Sequence, residues 1–202
     1  MPYCSAAPFA DYCDSATLKR NVAKGLQDIL STQDADGYIG NYPESKRYAA
    51  ECWDVWGTKY TLLGLLHAYD SSKDPATLAA AERLAGKLMD VFGPGKRALH
   101  ESGWYRGMPS CSVLEPIVWL YKRTGKAAYL AFAKYIVSEA DHPDGARLLR
   151  DADKPVFARV TQDALHSSLK AYEMMSCYQG MLELFDVTGD RTLLDAAVKT
   201  AN

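Results

Sequence analysis

Apolar residues recur at three- and four-residue steps along most of this chain, the period of a helix with one buried face. From Leu78 to Phe92 they fall at Leu78, Ala81, Ala85, Leu88 and Phe92; a second run has Tyr129, Phe132, Ala133 and Ile136. Strand-type alternation is slight, and only Lys154–Thr161 (KPVFARVT) reads as a short extended arm in a loop. The pattern predicts an all-α fold.

A larger unit repeats on top of the helical period: an apolar helix, an aromatic residue, a short polar turn, and a second apolar helix. Its copies read FADYCDSATLKRNVAKGLQDIL, LLHAYDSSKDPATLAAAERLAGKLM, VWLYKRTGKAAYLAFAKYIV and LELFDVTGDRTLLDAAVKTA. The aromatic before each turn is Tyr12, Tyr69, Tyr121 and Phe185, at spacings of 57, 52 and 64 residues. Self-similarity at such a period marks a stacked or closed array of helical hairpins. Turn chemistry agrees. Thr124-Gly125 and Thr188-Gly189 supply glycines for helix C-termini, Asp74-Pro75 an N-cap with a first-turn proline, and Asp14-Ser15 a cap for the first copy. Ser112 with Glu115 three residues on reads as a capping box.

Long glycine- and aromatic-rich connections, Gln33–Glu51, Gly93–Cys111 and Asp141–His166, join successive hairpins. Loops of this length are usually functional, and in a ring of hairpins they would gather at one end. Pro2 and Pro8 interrupt the stretch before Tyr12, so the first hairpin is expected to lack most of its first helix. The chain stops inside what should be a last helix. The expectation is a single domain over 1–202, an incomplete (α/α)6 toroid belonging to a longer polypeptide, with open ends through which copies could self-associate.

Composition narrows the function. An apolar fraction of 48%, a charged fraction of 24% and a net charge of −2 describe an ordinary soluble chain with no electrostatic draw toward nucleic acid or an anionic membrane. No apolar run approaches the ~20 residues that span a bilayer, and no signal peptide is visible at the start; the compartment stays open. Cys4, Cys13, Cys52, Cys111 and Cys177 are unpaired in spacing, which reads as free thiols and no metal site. Thirteen tyrosines and four tryptophans, several beside glycine and aspartate, suit a sugar-binding surface.

Four segments carry a resemblance: LSTQDADGYIGNYPESKRY, WDVWGTKYTLLGLLHAY, SVLEPIVWLYKRTGKAAYLAFAKYI and KAYEMMSCYQGMLELFDVTGD. In this order they resemble a large family of bacterial glycoside hydrolases that includes the β-L-arabinofuranosidases of glycoside hydrolase family 127, over Leu18 to about Ala197. The resemblance implies an α/α-toroid catalytic domain that cleaves terminal sugars from plant or microbial glycans. It also implies a zinc-held cysteine nucleophile drawn from a paired-cysteine motif and a Glu-x-Cys motif. Neither motif is present in this chain. Glu51-Cys52 and Cys177 lack that spacing, so zinc and the nucleophile are not carried over, and no cofactor is expected on this chain.

Candidate substrate-binding residues follow from the residue types. In the loop Gln33–Tyr42, Asp36 and Asn41 can bind hydroxyls and Tyr38 can offer a stacking face. Trp53, Trp56 and Tyr60 share one face of a helix opened by Asp54, whose place at the positive end of the helix dipole suits it to hydrogen bonding. Trp104, Tyr105 and Arg106 are further possible contacts. His166, Lys170 and Glu173 fall on one helical face with Tyr172 beside them, and Glu173 with Lys170 could equally form a plain ion pair. A glycosidase needs two flanking carboxyl groups, or one and another nucleophile. Asp36, Asp54, Glu115 and Glu173 come from successive repeats, and Asp54 and Glu173 are the catalytic candidates. The leading expectation is a piece of an arabinofuranosidase-like glycoside hydrolase. The alternatives are a non-catalytic carbohydrate-binding module and a helical-repeat scaffold for protein partners.

Overall fold

A computed structural model describes residues 3–155 and 170–201. Among them the chain is helical, with no strand and one isolated bridge between Phe92 and Arg97. The helices are α1 (Tyr3–Tyr12), α2 (Ala16–Ser31), α3 (Asp54–Ser72), α4 (Pro75–Val91), the single turn α5 (Met108–Cys111), α6 (Leu114–Thr124), α7 (Ala127–Ala140), α8 (Ala171–Thr188) and α9 (Arg191–Ala201). Four hairpins result, α1–α2, α3–α4, α6–α7 and α8–α9, each at a copy of the repeat. Most of the expected arm at Lys154–Thr161, and His166, lie outside the described residues.

The turns form as their chemistry dictates. Ser15 Oγ accepts from Leu18 N–H at 3.4 Å at the start of α2. Asp74 accepts from the backbone N–H groups of Ala76 and Thr77 and from the Thr77 hydroxyl, at 3.1, 3.1 and 2.7 Å, which satisfies the first turn of α4. Gly125 and Gly189 end α6 and α8 at φ 67° and 70°, left-handed conformations that a side chain would strain.

Two local expectations are corrected. The stretch before Tyr12 is helical, with Pro8 inside it; the proline removes one backbone donor from a ten-residue helix without ending it. Ser112 does not cap α6. It sits at φ −68°, ψ −10°, in the helical region that an N-cap avoids, and its buried hydroxyl donates to Pro109 O at 2.6 Å. The preceding turn α5 runs almost directly into α6, and Ser112 serves the end of α5 instead.

The residues fall into two compact units. The first holds Met1–Asn41 with Gly57–Asp90. In it α1 lies against α2, Ser71 Oγ donates to the Asp11 carboxylate, and α4 buries Thr77, Ala80, Ala81, Leu84, Ala85 and Leu88. Full burial contributes about 1.5–3 kcal/mol for each such leucine. The second unit holds Tyr42–Trp56 with Val91–Asn202. There α6 packs on α7 and α8, α8 on α9, and the turn α5 on both α7 and α8. Tyr129, Phe132, Ala133 and Ile136 are all buried, as the period of α7 predicts. Lys122 Nζ joins α6 to α8 through Glu183 (2.7 Å) and Asp186 (2.8 Å).

The connection Gly93–Cys111 is not structureless. It contains a 3₁₀ turn at Leu99–Glu101, a left-handed turn at Tyr105–Gly107, and α5.

Candidate functional site

In the second unit, residues 42–56 and the loop before α5 converge on a row of aromatic rings. Tyr48 takes a left-handed φ of 58° and donates its N–H to Asp54 Oδ2 at 2.9 Å, while Trp53 N–H donates to Tyr42 Oη at 3.1 Å. These two bonds set the entry into α3 and the direction of Trp53. Ring centroids then follow at 6.2 Å from Tyr105 to Trp53, 6.2 Å from Trp53 to Trp56, and 5.5 Å from Trp56 to Tyr172. The planes are inclined by 66° and 69° at Trp53–Trp56 and Trp56–Tyr172, the edge-to-face arrangement that ring quadrupoles favour, and tilted by 56° at Tyr105–Trp53. The Lys170 ammonium lies 5.5 Å over the Tyr105 ring. Trp56 is buried, but Trp53 is 36% exposed and Tyr172 63% exposed. The row is thus a supported wall with two rings open to solvent.

The loop carrying Tyr105 is held under strain. Tyr105, Arg106 and Gly107 have φ of 53°, 55° and 71° in succession, and left-handed conformations at non-glycine residues cost energy that the surroundings must supply. Gly107 lies so close to His100 that a Cβ would come within 2.4 Å of His100 Cα. His100 is itself fixed. Its Nδ1 lies 2.8 Å and its backbone N 3.2 Å from Glu139 Oε2 on α7, and its ring stacks on His142 at 4.0 Å. Tyr135 Oη accepts from Leu99 N–H at 3.1 Å and donates to Arg97 O at 3.3 Å. Burial, with the Glu139 charge nearby, pushes the Tyr135 phenol up to about 12. Sequence reasoning missed this buried polar knot, because its members are about forty positions apart and no short motif joins them.

The two carboxylate candidates differ. Asp54 is 2% exposed and holds Tyr48. Glu173, on the first turn of α8, is 5% exposed, and its Oε2 is buried with no hydrogen-bond partner among the described residues. Glu173 and Lys170 therefore do not form the ion pair that their spacing allowed. Glu115 is half-buried on the first turn of α6.

The loop residues Asp36, Tyr38 and Asn41, and Tyr60 of α3, belong to the first unit. Asp36 pairs with Lys87 at 2.6 Å and accepts from Tyr38 N–H at 3.1 Å. Tyr38 is 1% exposed, so its ring is covered and offers no stacking face. Asn41 is exposed, and the half-buried Tyr60 lies under the Lys59 ammonium at 5.2 Å.

Burial pushes the Cys52 thiol up and the Cys111 thiol well up, away from the thiolate that a nucleophile needs. Cys177 is buried and donates to Met108 O at 3.1 Å. Among the described residues no three His, Cys, Asp or Glu side chains are placed to hold a metal ion.

A domain of helical hairpins with an open aromatic wall is the class that fold and site define. The profile described as "Beta-L-arabinofuranosidase, GH127 catalytic domain" matches residues 5–199. The chain belongs to this family, glycoside hydrolase family 127. Among solved structures it is similar to a GH127 β-arabinofuranosidase at 18% identity and TM-score 0.66, covering 98% of this chain and 32% of that one. It is also similar to a GH127 β-L-arabinofuranosidase from Geobacillus stearothermophilus T6 at 17% identity and TM-score 0.68, covering 92% of this chain and 32% of that one. These likenesses show a shared fold, the α/α-toroid class, and the chain spans about a third of the length of the structures it matches. No curated protein sequence matches it. No helix among the described residues is long and apolar enough to cross a membrane.

Proposed function

We propose that this chain supplies part of the carbohydrate-binding wall of a glycoside hydrolase acting on terminal, arabinofuranoside-like sugars of plant or microbial glycans. The observation that carries the reading is the row Tyr105–Trp53–Trp56–Tyr172, in a chain whose family profile is that of a glycosidase catalytic domain. An aromatic face buries the C–H face of a sugar ring, while carboxylates and amides take its hydroxyls. Asp54 and Glu173 follow Trp53 and Tyr172 in the chain and stay the candidate acids; cleavage needs two carboxyl groups about 5 Å or about 6.5–9.5 Å apart, or a carboxyl with another nucleophile.

The test is calorimetric titration of the full-length protein with arabinofuranosyl oligosaccharides, alongside hydrolysis of aryl arabinofuranosides. Trp53 is 36% exposed; of the roughly 250 Å² that a tryptophan can bury, about 90 Å² is open to a ligand. At about 25 cal/mol per Å² this area contributes about 2 kcal/mol, so Trp53→Ala should weaken binding about 30-fold. Binding without turnover would move the reading to a non-catalytic carbohydrate module. Unchanged affinity in Trp53→Ala would refute the wall.

A further inference from the structure

The two ends of the aromatic row come together at the start of α8. Tyr105 pairs with Trp53, Trp53 with Trp56 and Trp56 with Tyr172, at centroid separations of 6.2, 6.2 and 5.5 Å. Tyr172 is the second residue of α8. Tyr105, at the other end, lies under the ammonium of Lys170, the N-cap residue of that helix, at 5.5 Å. Lys170 and Tyr172 are two positions apart, so their Cα atoms are separated by at most about 7.6 Å. Four rings and one cation thus close on themselves, all within the second compact unit.

The cation of this cluster is open and uncommitted. Lys170 is exposed, and the Tyr105 ring is the only partner its ammonium has among the described residues. Glu173, three positions on, is 5% exposed and forms no ion pair with it, while Asp54 is 2% exposed and holds the Tyr48 N–H. A ring quadrupole attracts an ammonium without cancelling its charge. The positive charge therefore stands beside Trp53 and Tyr172, the two rings of the cluster that are most open to solvent.

A flat apolar face next to an ammonium matches a particular ligand. The C–H face of a sugar lies on the ring, and a negative substituent of that sugar or its neighbour meets the cation. Building on the sugar-binding reading above, we propose that Lys170 is the cationic subsite of the wall and that the glycan it receives is acidic, with a carboxylate or sulfate on a sugar at the Tyr105–Trp53 end. The rings hold any sugar; Lys170 chooses among them. Because the subsite is open, its attraction is screened, acting over about 30 Å at 0.01 M salt and about 8 Å at 0.15 M.

The experiment titrates three disaccharides calorimetrically into the full-length protein at low and high salt. They are an arabinofuranosyl-glucuronic acid, its carboxyl-reduced neutral twin, and the sulfate ester of that twin. The native protein should prefer an anionic form over the neutral twin by about 5-fold at low salt, the upper range of an exposed ion pair, and the preference should fade at high salt. Whichever anionic form gains more identifies the group. Lys170→Met should bring both anionic forms down to the affinity of the neutral twin, and Lys170→Arg should restore the preference. Trp53→Ala should weaken all three alike. As an exposed residue, Lys170 should be replaceable without a change in melting temperature, so a preference lost in a variant that melts like the native protein is lost from the site and not from the fold. If the native protein binds all three equally while Trp53→Ala weakens them, the cationic subsite is overturned and the wall stands. A preference that survives Lys170→Met also overturns it. If the native protein binds none of the three, the sugar-binding reading falls and this inference falls with it.

Discussion

Replacing Gly107 by alanine tests how the loop before α5 presents Tyr105 to the aromatic row. Two costs are separable. The residue has φ 71°, and holding a side chain in the left-handed region costs about 1–2 kcal/mol. The new Cβ would also stand 2.4 Å from Cα, 2.5 Å from O and 2.6 Å from C of His100. Those atoms are backbone, and His100 is tied to Glu139 through both its ring and its N–H, so the loop must move; overpacking of this kind costs about 1–3 kcal/mol. The expected total is about 2–5 kcal/mol. Gly125→Ala is the control within the same compact unit. It has φ 67° with nothing within 4 Å of an added Cβ, so it should lose only the conformational cost of about 1–2 kcal/mol. Guanidinium denaturation gives both values, and thermal unfolding should show roughly 2–4 °C for each kcal/mol in a chain of this size. Tyr105 lies 6.2 Å from Trp53, so the tryptophan emission of Gly107→Ala should change while that of Gly125→Ala should not. Equal losses in the two variants would refute the claim that the His100 contact fixes this loop.

Two further predictions concern pH. Hydrogen bonds from the Thr77 hydroxyl and the Ala76 and Thr77 N–H groups hold the Asp74 carboxyl below its usual value, so its contribution to stability is present above about pH 4 and is lost as pH falls through the lower folded value. The stability gap between the native protein and Asp74→Ala should therefore close on acidification, measured by denaturation at pH 7 and pH 2.5; a constant gap would contradict the cap. Tyr135 has a phenol raised to about 12 by burial first and Glu139 next. A raised folded value means its contribution is complete below about pH 10, the unfolded value, and is lost as pH rises toward 12. Tyr135→Phe should flatten the stability profile across that alkaline window and remove one late step from the tyrosinate absorbance titration. A late step that persists in the variant would assign it to another phenol.

Features made within one turn of chain were legible in the residue string. Asp74 caps α4 and Gly125 and Gly189 end their helices as expected, because donor and acceptor lie within a few positions and no distant element competes. Where a neighbour in sequence competes, the reading failed. Ser112 has the spacing of a capping box, but the turn α5 had already claimed its backbone conformation and its hydroxyl. Pro8 resembles a helix breaker, yet losing one donor does not end α1. Tyr38 looked like a ligand-facing ring, but whether a loop tyrosine points inward depends on what folds over it, and here it is 1% exposed.

By itself, then, the sequence determined the helices, their pairing into four hairpins and the family to which the chain belongs. Each of these rests on periodicity, short-range capping or a run of matching residues. Tertiary structure alone decided which aromatics form one row, since Trp53 meets Tyr105, and Trp56 meets Tyr172, across long stretches of intervening chain. It also separated two acids that look alike on paper. Asp54 and Glu173 both open helices beside aromatic residues, but one carboxylate is bound by a backbone N–H that only the fold brings to it, and the other is buried with an oxygen to spare. Hydrogen-bond satisfaction depends on the position of every neighbouring donor, and residue type and spacing do not encode that.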